Sequence, residues 1–145
     1  MTQLERVYKT IHDNSIVLDT FPLPCAVSIS HMDDDGNCYI AIDREQIKTS
    51  AEEEERLWHE MGHCKTGSFY CQYTMHECRG RLEARATKWA IRKRIPIGLL
   101  RRTIDACKPH NDYELAEELG LTVGFVREAL AYYTETLGLC VKHVE

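Results

Sequence analysis

No run of apolar residues in this 145-residue chain approaches the roughly 18 needed to span a bilayer, so no membrane partner is expected. No Cys-x-x-Cys pair occurs among the seven cysteines. That argues against a thiolate zinc ribbon and against a thioredoxin-like site. Internal repeats, linkers and low-complexity stretches are missing as well. The opening residues Met1-Thr2-Gln3-Leu4-Glu5-Arg6 lack the layout of a signal peptide, and the expected compartment is cytoplasmic. An odd cysteine count without such a signal predicts free thiols rather than a disulfide framework, with Cys64 serving in packing.

The rest of the composition is ordinary for a globular protein: 43% apolar, 28% charged, and long enough for one domain over residues 1–145. The net charge of −5 conceals an asymmetry, because residues 79–108 hold 10 bases against 2 acids. Such a band could attract an acidic partner. A solvated helix face paired with acidic neighbours of the same fold explains it more simply.

Periodicity predicts a helix over residues 2–12, with Leu4, Val7, Tyr8 and Ile11 on one stripe. Extended stretches follow at residues 16–18, 26–30 and 38–42, with Pro22 and Pro24 limiting the first to an edge. Asp33-Asp34-Asp35-Gly36-Asn37 reads as a hairpin turn. A helix starts at Thr49 or Ser50, where a hydroxyl caps it and Glu52, Glu53, Glu54 and Glu55 suit its positive end, and it stops before Gly67. Residues 67–78 read as a loop, and a second long helix runs over residues 80–93 until Pro96 ends the pattern. Shorter helices fill residues 97–145. Within them Leu115, Leu119, Gly120 and Val126 have helix-turn-helix spacing, but the second helix offers only Arg127 as a base, which argues against direct nucleic-acid binding. The expected fold is α+β and mostly helical, with a small antiparallel sheet flanking the site helix. Residues 1–49 form its helix-and-sheet part, 50–96 its site helices and 97–145 its helical tail.

The sharpest signal is His59-Glu60-Met61-Gly62-His63. On a helix, residues four apart stand about 40° apart around the axis and one turn apart along it. Both imidazoles can then reach one point, which suits a divalent ion, and Glu60 sits beside that point as a candidate general base. A third ligand should come from a second helix. Glu83 fits, because Ala86 and Ala90 allow its helix to approach closely; Glu77 is the competitor, in the loop. Gly62 agrees: a mid-helix glycine costs about 1 kcal/mol, tolerable where another backbone must come near.

The string from Leu57 to Gly67, followed by Glu83-x-x-Ala86-Thr87-x-Trp89-Ala90 and closing at Pro96, resembles the ImmA/IrrE family of metallo-endopeptidases. The close likeness covers residues 50–96. It implies a zincin-like peptidase, often encoded on prophages or mobile elements, with Zn2+ held by His59, His63 and Glu83. It also implies a protein substrate such as a helix-turn-helix repressor. One departure is Thr87, which stands where the family has Asp or Asn. That position would accept a proton from a ligating imidazole, and a neutral hydroxyl brings no charge to it. Tyr70, Tyr73 and His76 are candidates for holding the oxyanion. The alternative reading is a metal-binding or inactive family member acting as a protein–protein binding module. These ligand types also suit iron or manganese.

Overall fold

Thr2 starts the first helix, α1 (Gln3–Asp13), by accepting a hydrogen bond from Glu5 N–H while the Glu5 carboxylate takes one from Thr2 N–H. This reciprocal cap satisfies backbone donors that would otherwise be unpaired, and it leaves Val7 and Ile11 on the buried stripe. The computed structural model describes residues 1–139. After α1 come β1 (Val17–Thr20), β2 (Ser28–Met32), β3 (Cys38–Ile42), a short 3-10 turn and the helices α2 (Ser50–Thr66) and α3 (His76–Arg94). Three further helices follow: α4 (Ile97–Cys107), α5 (Asp112–Leu119) and α6 (Val123–Leu137). The architecture is α+β and mostly helical, and among the described residues no helix is long and apolar enough to cross a membrane.

The small sheet is mixed, not antiparallel throughout. Its order is β1-β3-β2, with β2 antiparallel and β1 parallel to β3. β2 and β3 form the expected hairpin, whose turn is tied by the Asp33 carboxylate to Asp35 N–H, Asn37 N–H and the Tyr39 hydroxyl. β1 cannot form a hairpin with β2, because Pro22 and Pro24 interrupt the chain between them. That chain is instead pegged beside β3. Asp43 accepts from Leu23 N–H at 3.0 Å, and the Gln46 amide donates to the carbonyls of Leu23 and Ala26. The strand that enters this crossover, β1, lies parallel to β3, and the strand that leaves it, β2, lies antiparallel on the other side of β3.

The chain gathers into two compact units, Met1–Ala90 and Ile91–Glu145. In the first, Val7, Ile11, Ile40, Ile42, Leu57 and Met61 are each no more than 2% exposed and form the core shared by α1, the sheet and α2. Each such side chain contributes about 1.5–3 kcal/mol by leaving water. Cys38 and Cys64 also meet there and are joined by a disulfide between β3 and α2, so the expectation of free thiols fails for this pair. Tethering residues 26 apart in sequence restricts the unfolded chain by an amount on the order of 3 kcal/mol. Cys25, Cys71, Cys78 and Cys107 are free and exposed, and Cys140 lies outside the described residues.

In the second unit Leu100, Leu115, Val126, Ala129 and Tyr133 are buried, and the Tyr133 hydroxyl donates to the Ile95 carbonyl at 2.6 Å. The helix-turn-helix spacing is realised as α5 and α6. Arg127, the one base in the second of these helices, is paired with Asp112 at 3.2 Å and lies over the Tyr113 ring. It is already engaged within the unit.

Candidate metal centre

α2 begins and ends where the sequence places it. The Thr49 hydroxyl accepts from Glu52 N–H at the N-terminus, and Gly67 takes the left-handed conformation (φ +67°) that closes the C-terminus. That reversal has a chemical consequence. It swings Ser68 back under the helix, where the Ser68 carbonyl lies 2.6 Å from His63 Nδ1. A carbonyl only accepts, so Nδ1 must carry the proton, and the lone pair of the neutral ring is left on Nε2. Ser68 was not foreseen, although Gly67 marked the turn that delivers it.

α3 begins at His76, earlier than the expected residue 80. Arg79 holds this first turn: its guanidinium donates to the carbonyls of Gln72 and Thr74 and lies 5.6 Å from the Tyr70 ring. The helix then passes α2 at Gly62. A Cβ on Gly62 would stand 2.4 Å from the Ala86 carbonyl oxygen and 2.9 Å from its Cα, so only glycine permits this approach. Trp58 and Trp89 pack together on the same pair of helices, with ring centroids 6.1 Å apart.

Close passage brings Glu83 to the histidines. His59 Nε2 lies 2.7 Å from Glu83 Oε2, His63 Nε2 lies 3.2 Å from Glu83 Oε1, and the two Nε2 atoms are 3.2 Å apart. Ligand atoms about 2.0–2.1 Å from a tetrahedral zinc ion stand about 3.3 Å from one another. The two longer separations are near that value, and the shortest is of hydrogen-bond length, between His59 Nε2 and Glu83 Oε2. Two imidazole nitrogens and a carboxylate therefore converge as a donor set that fits a divalent cation. Glu77 is exposed and stands outside this group.

Tyr70 donates to Glu83 Oε1 at 2.7 Å. Burial opposes ionisation of Glu83, but this hydroxyl and the two imidazoles outweigh it and hold the carboxyl below its ordinary value. The same bond, helped by partial burial, raises the Tyr70 phenol above its own. Thr87 Oγ1 stands 3.5 Å from His59 Nδ1, too long for a strong bond, so His59 is held less firmly than His63. Of the remaining expected residues, Tyr73 is 84% exposed and His76 opens α3 on the surface; neither lines the site.

Glu60 is only 5% exposed, and both its oxygens are occupied: Ser28 donates to Oε2 and Ser30 to Oε1, each at 2.8 Å. The serine side of β2 faces α2, while Ile29 between them is 46% exposed. A cleft of ≈ 170 Å³ opens over Glu60, His63, Tyr70 and Glu83, with Ser28 and Ser30 on its far wall. Neither serine was singled out from the sequence, though their alternation along residues 26–30 was visible. Comparisons with protein-family models, with curated proteins and with solved structures return no match to this chain.

Proposed function

We propose that this chain is a metallopeptidase of zincin-like architecture, with His59, His63 and Glu83 as ligands of a zinc ion and Glu60 as the general base. The observation that carries the reading is the convergence of two imidazole nitrogens and the Glu83 carboxylate at one end of a cleft that also exposes the buried Glu60 carboxylate. When bound, zinc would act there as a Lewis acid, polarising a carbonyl and acidifying water. Glu60 takes the proton of the attacking water and returns it to the leaving amine, which is the two-way transfer that amide hydrolysis needs. Tyr70, whose hydroxyl reaches Glu83, can turn toward a developing oxyanion.

The sheet supports a peptide as the substrate. β2 is an edge strand, and no strand pairs with its outer side among the described residues. An extended peptide can add to such an edge through main-chain hydrogen bonds, which places its carbonyls along the cleft. The family resemblance adds a regulatory protein, such as a helix-turn-helix repressor, as the protein from which that peptide comes. A binding module remains the second reading, favoured by the weak hold of Thr87 on His59.

Zinc-loaded protein should cleave unstructured peptides, lose that activity on chelation and regain it on adding zinc back. Cleavage that survives complete removal of metal contradicts the proposal.

A further inference from the structure

We propose that Ser28 and Ser30 are positioning residues for Glu60, and that the strand edge that receives the peptide also sets the angle of the base. The inference rests on the peptidase reading above.

A glutamate side chain has three rotatable bonds, and a base must be held within hydrogen-bond reach of the proton it takes. A displacement of about 1 Å can cost about 100-fold in rate. Here each carboxylate oxygen accepts one serine hydroxyl at 2.8 Å, which fixes both the position of Glu60 and the plane of its carboxylate. A carboxylate offers about four lone-pair sites, so the two bonds leave capacity for the incoming proton.

The serines are alternate residues of one strand and share a face. Their main chain faces elsewhere. At one end of the hairpin Asp43 N–H donates to the Val27 carbonyl, and at the other Asp33 N–H donates to Asn37. In an antiparallel ladder the residues bonded to the partner strand alternate, so Val27, Ile29 and His31 face β3. The N–H and C=O groups of Ser28 and Ser30 therefore point to the open edge. One pair of residues thus offers its backbone to an added strand and its hydroxyls to the base.

Alanine at both positions removes the hydroxyls and keeps the backbone, which separates the two roles. In zinc-loaded protein Ser28→Ala/Ser30→Ala should lower kcat by roughly 10–100-fold and leave KM and zinc content unchanged, while Ser28→Thr/Ser30→Thr should restore most of kcat. A second measurement needs no activity: urea unfolding of metal-free protein in Glu60 and Glu60→Ala backgrounds. The midpoint shift caused by the serine substitutions should largely vanish when Glu60 is absent; single Ser30→Ala and Ser28→Ala variants serve if the double one does not fold. Equal shifts in both backgrounds, or unchanged kcat in an enzyme that does cleave, overturn the serine assignment. No cleavage by the zinc-loaded native protein overturns the peptidase reading and the substrate half of this proposal, while the unfolding cycle still judges the hold on Glu60.

Discussion

Glu60→Gln keeps the metal and loses the chemistry: zinc content should match that of the native chain, while turnover falls by about 10²–10⁴-fold. Glutamine has the same shape but cannot take up a proton. Glu60 is not among the converging ligand atoms, so its replacement leaves the ion's site intact. The amide can still be held in place, because a serine hydroxyl either donates or accepts and one of the pair need only rotate. Parallel measurement of metal content and peptide cleavage checks both halves. Loss of metal together with activity would place Glu60 among the ligands. Full activity would remove it from the mechanism.

Gly62→Ala should weaken zinc binding by about 10–100-fold, an effect transmitted through the backbone to the helix that carries Glu83 and Thr87. The added methyl would stand 2.4 Å from the Ala86 carbonyl oxygen, which belongs to a helix and cannot swing aside. α3 must therefore shift, and it carries Glu83 and Thr87 with it. Alanine is the better helix former by about 1 kcal/mol, whereas overpacking costs about 1–3 kcal/mol. Global stability should accordingly fall little, and the damage should appear in metal affinity. Gly80→Ala is the matched control: it lies in α3 with nothing near its added Cβ, and it should leave zinc affinity unchanged. Equal zinc affinities for native protein and Gly62→Ala would mean that the two helices do not need this approach to build the site.

The site helix was legible because its signals are local: a capping hydroxyl at Thr49, acids in the first turn, the histidine spacing and a glycine at the end. Glu83 was legible for a related reason, since Gly62 and Ala86 announce a close approach and Glu83 stands one turn from the contact. What the sequence concealed depends on contacts between distant segments. The parallel pairing of β1 arises from how Asp43 and Gln46 peg the proline-bearing crossover, which no strand pattern reports. The Cys38–Cys64 bond needs two elements 26 residues apart to meet. The first turn of α3 rests on Arg79 reaching back to Thr74.

β2 is the most instructive case. Strand patterns are ordinarily read with the apolar side inward, yet here Ile29 is half-exposed and the serines turn toward the helix. The inward side at this point meets a buried carboxylate, and a buried charge needs hydrogen-bond donors more than it needs methyl groups. A buried carboxylate on α2 thus reversed the usual polarity of a strand that packs beside it.

The most direct test of the central claim is a zinc titration of the metal-free protein against a chromophoric chelator, run beside Glu83→Ala and Glu77→Ala. Native protein and Glu77→Ala should each take up a single tightly held ion, and Glu83→Ala should bind it far more weakly. Zinc held as tightly by Glu83→Ala as by the native chain, or no tight site in the native chain, would contradict the account.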